Sequence, residues 1–239
     1  MAYHPESRYG GFTDIDGTLL FYSRVNALLE ESSVVIDYGC GRGSHSADPV
    51  DYRRELKVLK GKAKTVIGLD IDPCAAANPF IDSFRLVAPG EPWPIEDSSI
   101  DLVLSDFVLE HIEEPQDFFA EARRVLRRAG HLCLRTSNAW GYVAMLARHM
   151  PRRAHSSLLR YAQPGRAGRD VFPAVYRCNS ILKLRAALRR NGFDGVVYGC
   201  EAEPRYLAFS KFAYGLGALH QKLAPGFLRL SLFAFAARQ

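Results

Sequence analysis

VVIDYGCGRG, residues 34–43, is the stretch on which the reading of this chain turns. An apolar, β-branched run ends in Asp37, and Gly39, Gly41 and Gly43 follow at every second position. Such a run reads as a buried strand opening into a glycine loop. In an open α/β sheet, ligands bind at the carboxyl ends of the strands, near the switch in strand order. Glycines there let the backbone take unusual angles and pass close to a ligand. The spacing excludes the two commonest phosphate loops. A dinucleotide fingerprint needs its third glycine at residue 44, which is Ser44, and the Gly-Lys-Ser/Thr of a P-loop is absent. Asp37 suits a cationic ligand group, since a carboxylate takes an ammonium in a charge-assisted bond.

Working outward, strand and helix patterns alternate. TVIGLD (65–70), Ser83–Val87, SIDLVLS (99–105) and HLCLRTS (131–137) read as further strands. Helical patterns fall at 19–30, 50–61, 115–128 and 179–190. In the third of these, Phe118, Phe119, Ala122, Val125 and Leu126 form one apolar face, and Gly130 reads as its stop. FDGVVYGC (193–200) and 227–237 read as the last two strands. The alternation predicts an α/β fold with a doubly wound, mostly parallel sheet. Asp70, at the end of the second strand, is placed to hold ribose hydroxyls. DIDGT (14–18) matches the nucleophile motif of haloacid-dehalogenase-like phosphatases, but polar SRYGGFT precedes it where that motif needs a buried strand. The stretch reads instead as a lid helix, with Phe21, Tyr22 and Arg24 as its candidates and packing as the expected role of Phe21.

The composition is that of an ordinary globular chain: 239 residues, 48% hydrophobic and 24% charged. The five cysteines have no C-x-x-C spacing, so redox pairs and zinc ribbons are not expected, nor is any metal site. The amino terminus lacks a secretory apolar core, and no apolar stretch is long enough to span a membrane; the expectation is a cytoplasmic protein. Net charge is +5, unevenly spread. Residues 148–190 carry eleven bases and one acid, Asp170, a local +10 against −5 elsewhere. A basic segment on an acidic body suggests an anionic contact, the alternative being a solvated arginine-rich face. No nucleic-acid module is recognisable.

Asp37 to Gly43, GLDID (68–72), WPIEDSSIDLVLSDFVLEHIEEP and EARRVLRRAGHL together resemble the class I S-adenosylmethionine-dependent methyltransferases of the type 11 branch. The resemblance covers about residues 30–138. It implies a Rossmann-like seven-stranded sheet with the last strand antiparallel, S-adenosyl-L-methionine as cofactor, and one methyltransferase domain over 1–239. It implies that Gly39, Gly41 and Gly43 run beside the methionine part of the cofactor, with Asp37 at its ammonium. Asp70 would take the ribose, Ile71 would pack on the adenine, and Ser105 and Asp106 would border the methionine moiety. Pro89 stands where the family commonly has an acid at the adenine amino group, so backbone near Gly90, or Glu91, is expected there instead. His111 is the candidate general base.

Residues 1–32 are expected to form an amino-terminal lid segment. Residues 139–177, interrupted by prolines and glycines, are expected to be an inserted helical cap over the acceptor. Tyr176, Arg177, Arg152 and Arg153 are its candidate substrate contacts. The expected acceptor is a small molecule, anionic or linked to a lipid or sugar. Tyr206–Phe212 with Tyr214, Leu216, Leu219 and Leu223, as an apolar face beside the basic cap, would suit peripheral membrane contact or a lipid-linked acceptor. The rival readings are a non-catalytic cofactor-binding module and a nicotinamide oxidoreductase; Ser44 argues against the second.

Overall fold

The structure is a computed structural model, and it describes residues 4–149, 173–201, 203, 204, 207 and 210–239. Seven strands form one sheet: β1 Val34–Tyr38, β2 Thr65–Asp70, β3 Ser83–Leu86, β4 Ile100–Asp106, β5 Leu126–Ser137, β6 Phe193–Cys200 and β7 Ser231–Arg238. Their order is β3-β2-β1-β4-β5-β7-β6. All pairings are parallel except those of β7, which runs antiparallel to both β5 and β6. The chain leaves β1 toward β2 and β3, then returns to β4 on β1's other side. The switch in strand order therefore lies between β1 and β4, where the glycine loop emerges.

Both faces of the sheet are covered, which is why its central strands are apolar throughout rather than alternating. On one face Ile36, Val103, Leu132 and Leu134 pack under α3 (Pro115–Val125) and α5 (Ile181–Arg190) through Phe118, Phe119, Leu184 and Leu188. On the other, Val35, Leu102, Leu104 and Cys133 meet Phe21, Tyr22 and Val25 of α1 (Gly17–Ala27). The short α2 (Asp51–Lys57) lies beside α1 and adds Leu56 to this core. Two more helices complete the described elements: α4 (Tyr142–His149) follows β5, and α6 (Lys211–Leu223) lies between β6 and β7 in the chain.

Several element boundaries depart from the sequence expectation. The helix expected over 115–128 ends at Val125, because Leu126 is captured by the sheet opposite Ile100. A register shift follows at Ile100/Leu102, and β5 absorbs residues 126–128, expected as helix, together with Ala129 and Gly130. The last strand starts at Ser231 rather than 227, since Gly226–Leu228 makes a 3-10 turn. The stretch before it, which shows no clear pattern in sequence, contains α6, capped by the Ser210 hydroxyl accepting from Ala213 N. The first helix starts at Gly17, two residues earlier than expected, because Asp16 caps it by accepting from Thr18 N and Leu19 N at 2.9 and 3.1 Å. Asp16 is buried and paired with Arg53 at 2.6 Å, so the DIDGT motif is a helix cap and no strand precedes it among the described residues. Of the expected cap over 139–177, residues 150–172 lie outside the described residues; α4 and 173–177 are its described parts.

Candidate functional site

The glycine loop owes its shape to backbone that only glycine takes readily. Gly39, Gly41 and Gly43 have φ of 75°, 56° and 82°. A Cβ on Gly39 would lie 2.3 Å from Val108, and one on Gly43 would lie 2.8 Å from Pro79. A Cβ on Gly41 would meet nothing within 4 Å, so this glycine faces open space. The Asp70 carboxylate holds the loop from β2, accepting from Gly41 N and from Asp72 N, both at 2.9 Å. Buried Asn78 holds it from below, donating to the carbonyls of Cys40 and Gly41 at 2.9 and 3.2 Å. Outside, Arg42 pairs with Asp72 at 2.6 Å, an exposed contact of small energetic weight.

Asp37 sits at the end of β1, where no described group donates a hydrogen bond to its carboxylate. Burial, then the negative charges of Asp106 and Asp70, push its pKa up to about 7. Three carboxylates thus face one space, and only two have partners. Asp106 is held by Arg135 across the β4–β5 ladder, with both N–O distances 2.6 Å, and accepts from the Tyr22 hydroxyl at 3.0 Å. The Arg135 guanidinium is buried against the rings of Phe21, Tyr22 and Phe107, with centroids 4.8–5.6 Å away. Phe107, which follows Asp106, takes φ of 56°, a costly conformation for an aromatic residue. Of the three, Asp37 alone has neither a hydrogen-bond donor nor a countercharge among the described residues.

The remaining expected cofactor positions surround this loop. Ile71 is about half exposed beside Asp70. Gly90 lies in the exposed turn after β3 with φ of 77° and open space at its Cβ, while Val87 N bonds the Asp70 carbonyl at 3.0 Å. That turn places backbone, not an acid, at the position of Pro89; the Glu91 amide is already spent on Ala88 O at 3.2 Å. Ser105 is buried at the end of β4, and its hydroxyl has no partner among the described residues. Cys74, two residues past Asp72, is the one exposed cysteine of the five.

A cleft of about 450 Å³ opens next to Asp106, lined in part by Thr18, Phe107, Arg135, Ser137, Val143 and Tyr176. Tyr176 lies on its wall with φ of 52°, its ring under the Arg148 guanidinium at 5.7 Å. Arg177 is exposed away from that lining, and Arg152 and Arg153 lie outside the described residues. The described cations of the cleft are matched by acids: Arg53 by Asp16 and Asp48 at 2.6 and 2.7 Å, Lys57 by Asp48 at 2.8 Å. These bonds hold the Asp48 carboxyl well below the usual range, against the opposing pull of burial. His111 stands on the 3-10 turn Leu109–His111, its Nδ1 3.1 Å from the Pro173 carbonyl. A carbonyl only accepts, so Nδ1 carries the proton and the ring's lone pair is on Nε2. Buried Glu110 beside it accepts from the Thr136 and Ser137 hydroxyls at 2.7 and 2.8 Å, and its carbonyl accepts from Val175 N and Tyr176 N.

Three contributors escape the sequence reading. Arg135 is a lone charge inside the apolar run HLCLRTS, and that oddity was the available signal. Asn78 has no signal in sequence. His45, just past Gly43, is a further imidazole near Asp106 and Arg135; burial, then Lys57, pushes its pKa down and keeps it neutral.

Residues 36–134 match the family described as "Methyltransferase domain", Methyltransf_11. A probable S-adenosylmethionine-dependent methyltransferase of Mycolicibacterium smegmatis is 32% identical over 111 residues, covering 44% of this chain and 38% of that protein. An uncharacterised 37.1 kDa transposon protein of Streptomyces fradiae is 51% identical over 110 residues, 41% of this chain and 28% of its own length. The chain thus spans little more than a third, or less, of these curated relatives. Among solved structures, geranyl diphosphate C-methyltransferase from Streptomyces coelicolor, in complex with S-adenosyl-L-homocysteine, superposes with a TM-score of 0.55. That likeness covers 92% of this chain and 78% of the other at 14% identity, and it speaks to the fold.

Proposed function

Residues 36–134 being a class I methyltransferase domain of the type 11 branch, we propose that this chain transfers the methyl group of S-adenosyl-L-methionine to a small acceptor. The observation that carries this reading is Asp37: a carboxylate without a countercharge, at the head of a loop whose Gly41 faces open space. An adenosyl amino acid with a cationic ammonium fits that space in charge and in room. Asp37 would take the ammonium, Asp70 the ribose hydroxyls, and Ile71 and the Gly90 turn the adenine. Gly39, Gly41, Gly43, Ser105 and Asp106 would border the methionine part. When bound, the cofactor supplies a methyl group already activated on a sulfonium.

The protein's share is then alignment and proton handling. The cleft beside Asp106 would hold the acceptor. Arg135 and Tyr22 fix Asp106, so the wall between the two spaces is rigid. His111 would accept the acceptor's proton at Nε2, with Pro173 O fixing the ring's tautomer. The excess of bases over 148–190 supports an anionic or lipid- or sugar-linked acceptor. Because Arg53 and Arg135 are already paired, the anionic part would need other contacts, for which Tyr176 on the cleft wall and, from the sequence, Arg177, Arg152 and Arg153 are the candidates.

Titration calorimetry with S-adenosyl-L-homocysteine and with NAD tests the cofactor reading. Micromolar binding of the first and none of the second is expected, with Asp70→Ala weakening the first by about 1.5–3 kcal/mol. Tighter binding of NAD, or unchanged affinity in a folded Asp70→Ala variant, overturns it.

A further inference from the structure

Helix α6 is built inside out. Phe212, Leu216, Leu219 and Leu223 recur at steps of four, three and four, which places them within about 60° of one helix face. All four are exposed, Phe212 by 77% and Leu223 by 72%. On the side turned to the protein, Gly217 is buried against Pro204 and Leu207, where a Cβ would lie only 2.6 Å from Pro204, and the half-buried Tyr214 ring meets His4 at 6.1 Å. Helices of soluble domains put their large apolar residues inward, so a stripe of four facing out marks a surface that meets something else. The patch continues beyond the helix. Phe227 follows, 58% exposed, and α4 adjoins through Tyr142, whose ring meets His220 at 5.3 Å. One turn on from Tyr142, Leu146 is exposed too.

The charge around the stripe names its partner. Lys211 and Lys222 lie along one flank of the stripe, and neither helix nor residues 224–230 contains an acid. Glu201, 3.8 Å from His220 of α6, is buried. A second copy seated by twofold symmetry would set these cations against themselves. A surface both apolar and anionic satisfies both halves of the patch, with lysine stems lying along the apolar face and their ammonium groups at the headgroups. We propose that the α6 face, with the adjoining side of α4, docks on an anionic lipid bilayer. Val143 and Ala144 of α4 also line the cleft, so the docked face and the cleft share a wall. This docking needs no cofactor and stands apart from the methyltransferase reading.

Sedimentation of the parent chain with vesicles of phosphatidylcholine alone and of phosphatidylcholine with phosphatidylglycerol tests the proposal. Binding to the anionic vesicles is expected, weakening at high salt. Leu219→Ser/Leu223→Ser should weaken it by at least about tenfold per side chain, and Lys211→Glu/Lys222→Glu should abolish the preference for anionic lipid. The altered side chains are exposed, and a thermal transition matching the parent's confirms each variant's fold. Light scattering of the parent without vesicles completes the set. Absence of binding to either vesicle, equal binding to both, indifference to both variants, or a dimer that the leucine variant dissolves would each overturn the proposal.

Discussion

Replacing Asp37 by asparagine should make the ligand-free protein more stable at pH 8 while removing its grip on the cofactor. The carboxyl's pKa rises from 3.8 to about 7 on folding, chiefly through burial, then through Asp106 and Asp70. Below about pH 4 the group is protonated in both folded and unfolded chains, and it costs nothing. Between 4 and 7 the folded chain keeps a proton that the unfolded chain has lost, so stability falls as pH rises; above 7 the full loss is reached. Roughly three pH units correspond to about 4 kcal/mol. Solvent reaching the strand end reduces this to about 2 kcal/mol. The asparagine side chain of Asp37→Asn does not titrate. In a chain of this size the variant should therefore melt about 4–8 °C above the parent at pH 8 and close to it at pH 4. Differential scanning fluorimetry across that range reads the gap directly. Calorimetry with S-adenosyl-L-homocysteine should show the opposite order, the variant binding about 10- to 100-fold more weakly and the parent tightening as pH rises through 7. A melting gap that is the same at pH 4 and pH 8, or a variant less stable than the parent at pH 8, would refute the reasoning, because Asp37 would then have a countercharge of its own.

Arg135→Leu should cost about 3–5 kcal/mol in urea unfolding, since it leaves the Asp106 carboxylate without its countercharge; Arg135→Leu/Asp106→Leu should recover part of that loss, and purely additive losses would show the pair is not coupled. Gly43→Ala should cost about 1–3 kcal/mol, because φ of 82° and contacts of 2.8–2.9 Å to Pro79 and Asn78 both oppose a side chain. Gly90→Ala, with similar φ and open space, should cost about 1 kcal/mol; equal losses in chemical denaturation would mean the contact at Gly43 relaxes freely.

The sheet was legible in sequence because its strands are short apolar runs bounded by punctuation: Asp37 before glycines and Asp70 before Asp72-Pro73 at strand ends, Gly192 before Phe193 at a strand start. Boundaries failed where tertiary contacts overrode local pattern. LRRAG looks helical beside EARRV, yet Leu126 finds a ladder partner in Ile100 and the helix stops. Helix α6 was hidden for a related reason: its apolar spacing is helical, but its glycines, useful for close packing under Gly217, lower its helix signal. Asp70 and the glycines could be placed on the loop from spacing alone. The three-acid arrangement could not, because it depends on which carboxylate Arg135 claims, and Arg135 lies 98 positions from Asp37. His111 was visible as a residue type in a suggestive place; the tautomer fixed by Pro173 O required coordinates.

The distribution of thiols offers a chemical handle. Burial pushes Cys40 and Cys133 up to about 12, and Cys178 and Cys200 up to about 11, so these four resist alkylation near neutrality. Cys74 is exposed, and its amide bonds Asp72 Oδ1 at 2.9 Å, on the turn that continues from Asp70. A maleimide dye added to the unmodified protein would therefore settle on one atom, three residues from Ile71. No engineered cysteine is required, and the dye would occupy the rim of the proposed adenine site rather than its floor. Its emission would follow occupancy of that site in real time, turning a structural by-product of burial into a built-in optical sensor for ligand screening.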